Sequence, residues 1–225
     1  VNVEITWLAH AAFKIKDDST TVYIDPRYMK THARAIGTFF ENPEKADIIL
    51  FTHDHADHFH PSSIKKMTTS HTILLGPEKY RKKMGSRLKT IAPGEHITID
   101  TIKIEITEAY SVKHFRKPGV PWHPKGECVG YVVSLGGKRI YHAGDTDFIP
   151  EMRKLRGIDI ALLPIDGKYN MNITNALEAA MTIKPKIAIP MHNLHADPYE
   201  FKKRVEAKSG IRVMVPAIGE TCVIV

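Results

Sequence analysis

Seven residues, Thr52-His53-Asp54-His55-Ala56-Asp57-His58, constrain this chain more than any other stretch of it. Three imidazoles and two carboxylates follow directly on the apolar run Ile48-Ile49-Leu50-Phe51. Desolvating histidine and aspartate is costly, so a cluster of this density after a buried strand marks a metal site. A His-rich solvent loop is the alternative, and the strand leading into the cluster argues against it. His53 and His55 are two apart, so on extended chain they point to the same side. Asp57 and His58 are adjacent and diverge, which suits a second ion better than crowding the first. The helical H-E-x-x-H spacing, with its histidines at i and i+4, is absent.

The rest of the chain reads as an ordinary soluble globular protein. Its 225 residues, 43% hydrophobic and 25% charged, suffice for one large domain with a real core. No apolar run approaches the roughly 20 residues of a membrane-spanning helix. The opening Val1-Asn2-Val3-Glu4-Ile5-Thr6 alternates like a strand and has no signal-like apolar block. Two cysteines, Cys128 and Cys222, make neither a disulfide framework nor a zinc-ribbon spacing, so the expected location is cytoplasmic. The net charge of +7 would suit phosphate-bearing or nucleic-acid partners, but its lysines and arginines are scattered. The densest group, Lys79, Arg81, Lys82, Lys83, Arg87 and Lys89, reads as a solvated face.

In the first half, residues 4–6, 12–16 and 21–24 alternate between turn signals and predict antiparallel hairpins. Residues 48–51 predict a central strand buried on both faces. Pro61 opens a short helix to Met67, residues 72–75 are a strand, and a helix from Glu78 to Met84 is closed by Gly85. Residues 97–99 and 102–106 are strands, with Ile102, Ile104 and Ile106 on one face. Residues 111–127 hold three prolines and two glycines and predict a long loop, a kind that is often functional. Beyond it come a hairpin of 130–135 and 139–141 through Gly136-Gly137, and a strand at 159–163. A helix of 174–183 follows, with Thr174 as cap and Ala176, Leu177, Ala180 and Met181 as the buried face. The series ends with a strand at 186–189, a helix at 198–208 and a strand at 221–225. By itself this order gives only α/β or α+β. His53, Asp145 and His192 each follow the carboxyl end of an expected strand, where α/β proteins tend to bind ligands.

The cluster fits the H-x-H-x-D-H signature of the metallo-β-lactamase superfamily. Thr6-Trp7-Leu8-Ala9-His10-Ala11-Ala12-Phe13 is similar to the W-L-G-H-A-x-F opening of one branch, with Ala9 where glycine is usual. That branch holds ascorbate-phosphate lactonases, phospholipase D-like enzymes and small hydrolases. Ile24-Asp25-Pro26, the run from Tyr141 through Gly144-Asp145-Thr146-Asp147, and Pro190-Met191-His192 resemble its later motifs in the expected order.

The resemblance implies a single domain over 1–225, folded as a four-layer αββα sandwich of two pseudo-halves, about 1–110 and 128–225, joined by the loop 111–127. It also implies a hydrolase that uses a metal-activated hydroxide on a small ester, lactone or phosphodiester. Two zinc ions are expected, with manganese, iron or nickel as alternatives. By resemblance His53 and His55 bind the first ion, Asp57, His58 and His192 the second, and Asp145 bridges them. Asp57 is also expected to orient, or take a proton from, the water. Relatives complete the first site with a histidine after the strand equivalent to 102–108, but this chain reads Glu108-Ala109-Tyr110-Ser111 there. His123, in a turn-like His-Pro-Lys-Gly, is preferred as the missing ligand, with His114 next, and water at that position or a single bound ion as further alternatives.

Asp25 is expected either to support ligands from behind or simply to end a strand. His10 and His142 are expected in supporting, hydrogen-bonding roles, and His195 at a helix entry or beside the substrate. His32, His60, His71 and His96 are read as surface. The expected partner is a small molecule, phosphorylated or otherwise anionic, drawn by Lys113, Arg116, Lys117 and Lys125 of the 111–127 loop. No membrane partner is expected, and a homo-oligomer stays open. A nuclease acting on RNA or DNA is the second reading, and a non-catalytic metal-binding protein the third. A redox diiron protein is disfavoured, since relatives of that kind usually carry glutamate where His55 stands.

Overall fold

The computed structural model describes residues 2–27 and 39–225, so His32 lies outside the described residues. The chain forms two compact units, Val1–Ile91 with Pro216–Val225, and Ala92–Val215. Segment 111–127 lies inside the second of these.

The first unit is built on a seven-stranded sheet of order β16-β1-β2-β3-β4-β5-β6. Its strands are β1 (Val3–Ala9), β2 (Ala12–Lys16), β3 (Thr21–Ile24), β4 (Ile48–Leu50), β5 (Ile73–Gly76), β6 (Leu88–Thr90) and β16 (Thr221–Ile224). β1, β2 and β3 form the expected antiparallel meander. The β2–β3 turn is closed by Asp17, whose Oδ1 accepts the N–H groups of Ser19 at 2.9 Å and Thr20 at 2.8 Å. From β3 onward the pairing is parallel. β4 is therefore interior to the sheet and buried throughout, as its unbroken apolar run requires. Helix α1 (Pro61–Met67) starts on Pro61 and buries Ile64 and Met67. His60, read as surface, caps it: its Nδ1 accepts the Ser63 N–H at 3.3 Å. The helix expected over 78–84 splits into a 3₁₀ turn, Glu78–Tyr80, and one α-turn, α2 (Arg81–Met84). Tyr80 is fully buried and packs on Phe51 with centroids 4.7 Å apart, and that anchor fixes the tighter turn.

The second unit carries another seven-stranded sheet, of order β15-β14-β13-β12-β11-β8-β7. β7 (His96–Ile99), β8 (Ile102–Ala109), β11 (Cys128–Leu135) and β12 (Lys138–His142) run antiparallel. The β11–β12 turn is Gly136-Gly137, both at positive φ, 55° and 75°, as a two-residue hairpin demands. β12, β13 (Ile160–Pro164), β14 (Ile187–Met191) and β15 (Arg212–Val213) are parallel. Helices α3 (Ile173–Ile183) and α4 (Pro198–Lys208) supply Ala176, Ala179, Ala180, Phe201 and Val205 to one core with Val132, Tyr141, Ala161 and Leu163. The cap of α3 is Asn172 and not Thr174: its Oδ1 accepts the Asn175 N–H at 2.9 Å. Asparagine outranks threonine as a cap, and it stands two residues earlier.

Segment 111–127 is not structureless. It folds as a small hairpin of β9 (Phe115–Lys117) and β10 (Val120–Pro121), with Gly119 at φ 76°. Among the described residues no helix is long and apolar enough to cross a membrane.

Candidate functional site

In each unit the acidic and imidazole side chains gather where parallel strands end. In the first unit, Asp25 follows β3 and the histidine cluster follows β4. Asp25 is 1% exposed and sits at φ 46°, a left-handed conformation that aspartate tolerates better than most residues. Its carboxylate accepts the Thr52 N–H at 2.8 Å and the Thr52 hydroxyl at 2.5 Å, and lies 2.7 Å from His58 Nδ1. The His53 ring stands 4.1 Å from that of His58 and 4.5 Å from that of His55, centroid to centroid. His53 Nδ1 lies 3.0 Å from the Thr52 hydroxyl, and its Nε2 3.1 Å from His55 Nδ1. The Tyr80 hydroxyl donates to the His53 carbonyl. Asp25, His53 and His58 each offer an atom within 4.8 Å of the others, all three buried.

Asp57 keeps a more open setting, its side chain 43% exposed, with His10 Nε2 3.0 Å from Oδ2. His10 follows Ala9 through a bend in which the two residues take φ values of 56° and 102°. Glycine is the residue suited to that backbone, and this chain places a Cβ there.

In the second unit, Asp145, Asp166 and His192 follow β12, β13 and β14, so the parallel sheet brings them to one edge. Gly144 makes the turn that delivers Asp145: it has φ 67°, and a Cβ added there would lie 2.5 Å from the Val129 carbonyl oxygen. His123 Nε2 and His192 Nε2 both stand 3.2 Å from Asp145 Oδ2. Three separate segments thus converge on one carboxylate oxygen, and all three residues are at most 2% exposed. Of the two histidines of the hairpin segment, His123 is the one beside Asp145.

His114 turns elsewhere, its Nδ1 against Asp147. Asp147 Oδ2 also accepts the N–H groups of Val112 and Lys113, both at 2.7 Å, and so pins the near foot of the hairpin. Ser111 clamps His123 between backbone and ring. Its N–H donates to the His123 carbonyl at 2.8 Å, its Oγ accepts the His123 N–H at 3.1 Å, and the same Oγ lies 3.3 Å from Nδ1. The far foot is held by Lys125, which reaches Glu151 at 2.9 Å, with the Tyr110 hydroxyl 3.0 Å from the same carboxylate.

His192 Nδ1 faces Asp166 Oδ2 at 3.0 Å. Burial pushes the Asp166 carboxyl up, but His192 and the N–H groups of Tyr169 and Lys168 outweigh it and hold it below the ordinary range. A carboxylate on Nδ1 places the ring proton there and leaves the Nε2 lone pair aimed at Asp145. Two lone pairs in that position repel unless a proton or a metal cation sits between them. The 3.2 Å separations match the ligand-to-ligand edge, about 3.3 Å, of a tetrahedral site with arms near 2.0–2.1 Å. The donor set, imidazole nitrogen and carboxylate oxygen, fits a divalent transition metal.

Asp166, Asp147 and Ser111 escape sequence reasoning. Asp166 carried a usable signal, since it follows a parallel strand as the other three do. Of the remaining histidines, His142 ends β12 and accepts the Gly144 N–H at 3.1 Å, and His195, His71 and His96 are exposed.

This arrangement has known counterparts. A metallo-β-lactamase fold protein of Bacillus subtilis superposes with a TM-score of 0.75 at 14% identity over 99% of each chain, which defines the fold. The fold class expected from the sequence is therefore borne out. A sequence profile of the beta-lactamase superfamily domain matches residues 4–192. A UPF0173 metal-dependent hydrolase of Pelotomaculum thermopropionicum is 31% identical, over 97% of this chain and 99% of the relative. A structure described as a novel metallo hydrolase, from Ignicoccus hospitalis, has a TM-score of 0.81 at 28% identity and covers 100% of this chain and 99% of its own. The chain belongs to the UPF0173 metal-dependent hydrolase family of the beta-lactamase superfamily.

Proposed function

We propose that this protein is a metal-dependent hydrolase acting on a small ester, lactone or phosphodiester, with two zinc ions as its cofactor. The observation that carries the reading is the meeting of His123 and His192 on one oxygen of Asp145, each imidazole backed by its own partner on Nδ1. The sequence resemblance supplies the rest of the assignment: His53, His55 and His123 for one ion, Asp57, His58 and His192 for the other, and Asp145 for both. A bound divalent cation would supply Lewis acidity and bring the pKa of water down toward about 7.

The remaining work falls to the chain itself. Asp25 orients His58, Asp166 orients His192, and Ser111 orients His123, so that each ring presents Nε2. Asp57 is exposed enough to meet solvent and substrate, and His10 holds its Oδ2 in one direction while it takes or guides a proton. The basic groups Lys125 and Arg116 on the 111–127 segment favour an anionic substrate. Hydrolysis in a reducing cytoplasm suits a chain whose two cysteines, Cys128 and Cys222, are both buried.

Elemental analysis of protein purified without chelator tests the reading. Roughly two equivalents of transition metal per chain are expected. Asp57→Ala and His58→Ala should each lower metal content and abolish hydrolysis across phosphodiester, lactone and ester panels. Metal-free protein, or full activity in both variants, would overturn the mechanism. Stoichiometric metal without hydrolysis of any panel would favour the non-catalytic metal-binding reading.

A further inference from the structure

The register of the second sheet sets Glu105, Val132 and Tyr141 side by side across β8, β11 and β12. Successive residues of a strand alternate faces, so Thr107 shares that face with Glu105. Val132 and Tyr141 belong to the core that α3 and α4 help to build. Toward β8 the cover is the 3₁₀ turn Pro150–Lys154, only five residues long. At a rise of about 2.0 Å per residue such a turn spans roughly 10 Å, against about 27 Å for the eight residues of β8. Part of the strand's face is left uncovered, and a cavity of about 520 Å³ opens there. That volume lies in the range of small-molecule sites. The cavity falls wholly within the second unit, and none of His123, Asp145 and His192 lines it.

Its floor is apolar. Tyr141, Ile149 and Met152 belong to the buried core, and half-buried Leu155 packs against the same cluster. Burial raises the Tyr141 phenol above its ordinary range, so the floor carries no charge there. Half-buried Pro93 closes another side. Its segment is tied to the edge of β8, where the Gly94 N–H donates to the Ile106 carbonyl at 2.8 Å and the Ile106 N–H to the Glu95 carbonyl at 2.9 Å. The charged groups around this floor do not cancel. Glu105 is met by both terminal nitrogens of Arg139, and Glu151 by Lys125 at 2.9 Å. Glu108 borders the cavity with its Oε2 shielded from solvent. Lys154 and Arg156 are exposed, and Arg156 Nη1 donates to the Leu155 carbonyl at 2.8 Å, which keeps the guanidinium beside the opening. Side chains this long lay their methylenes along apolar surface and hold the charge at its rim.

From this arrangement we propose that the cavity between β8 and the turn Pro150–Lys154 is a second ligand site, built for an amphipathic carboxylate with an aliphatic body. The carboxylate head meets Lys154 and Arg156. The body lies along Leu155 and Pro93, over Ile149, Met152 and the edge of Tyr141. The wall is mostly aliphatic, so affinity follows the length of the chain that it shields from water. An alkylammonium of the same length keeps the body and meets the wrong charge at the rim. A short carboxylate keeps the head and loses the body. The site uses no residue assigned to a metal, so it stands or falls apart from the hydrolase reading.

Octanoate is the probe, with butanoate and octyltrimethylammonium as counterparts. The chain has eight methionines, so protein labelled with ¹³C at the methionine methyls gives a short spectrum, and Met152→Leu identifies the signal at the cavity. That signal reads this site alone, whatever a carboxylate does at the histidines. In the full chain as purified it should shift saturably with octanoate. A fully buried methylene is worth about fourfold in affinity, so four of them half-shielded predict octanoate binding about tenfold or more tightly than butanoate. Replacing both exposed cations, Lys154→Ala with Arg156→Ala, should weaken octanoate about tenfold. Leu155→Trp, which fills the opening, should abolish the Met152 response and leave metal content unchanged. An unmoved Met152 signal, equal affinity for octanoate and butanoate, or octyltrimethylammonium binding as tightly as octanoate would each overturn the site. A saturable shift in protein that hydrolyses nothing would sink the hydrolase reading and leave the site standing.

Discussion

Asp25→Ala is the most informative single perturbation in the first unit. The carboxylate is 1% exposed, and its contacts at 2.8, 2.5 and 2.7 Å go to the Thr52 N–H, the Thr52 hydroxyl and His58 Nδ1. Charge-assisted bonds contribute about 1.5–3 kcal/mol each, so the gross loss is several kcal/mol. Part of it is offset, because the variant no longer desolvates a carboxylate. What remains is the cost of leaving a buried N–H and an imidazole N–H without an acceptor, about 3–5 kcal/mol. For a chain of this size that lowers the melting temperature by about 10 °C. Because His58 also loses the group that orients its ring, metal affinity should fall about 10- to 100-fold. Thermal unfolding of chelated protein measures the first effect, and competition with a chromophoric chelator the second. Asp25→Asn separates them: the amide oxygen still accepts from Thr52, so stability recovers in part while the anion behind His58 is gone. A variant that melts within about 2 °C of the parent and keeps its metal affinity would refute the argument.

Two further outcomes follow from local geometry. Ala9→Gly should stabilise the protein by about 0.5–1 kcal/mol in urea unfolding, because the relief of φ 102° exceeds the added unfolded-state entropy; destabilisation would mean that the bend is not strained. The far foot of the hairpin should show a flat pH response bounded on both sides. Burial pushes Glu151 up, but its bond to Lys125 brings it below its usual 4.5, so its stabilisation is present above that value and lost as pH falls through the lower folded one. The Lys125 ammonium is raised above 10.5 by Glu151, and burial raises Tyr110 above 10.0, so their share is present below those values and lost as pH rises. The melting-temperature difference between the parent and Lys125→Met should hold between about pH 5 and 10 and shrink outside it.

The parts of the fold legible in the sequence are those governed by local chemistry. Pro61, Gly136-Gly137 and Pro198 mark boundaries because proline fixes its own φ and glycine alone takes a positive one at no steric cost, and α1 and α4 begin on those prolines. β6 and β15 were not legible: three and two residues long, they exist because a parallel neighbour offers its edge. The β9–β10 hairpin was hidden by its prolines and glycines. Its order comes from Asp147, which lies more than thirty residues away in the chain.

The candidate site divides in the same way. His53, His55, Asp57 and His58 announce themselves by density, and Asp145 and His192 by following strands. Ser111 and Asp166 do not, since a serine in a loop and an aspartate in a turn have many ordinary uses. Only the folded chain shows which rings they touch.

The short run from Gly144 to Asp147 faces two ways. Asp145 reaches toward His123 and His192, and Asp147, two residues on, ties down the hairpin from which His123 comes. The placing of His123 against Asp145 and the anchoring of the hairpin therefore depend on the same four residues. A mutation at the tip, far from any imidazole, can then alter retention at the histidines without touching one of them.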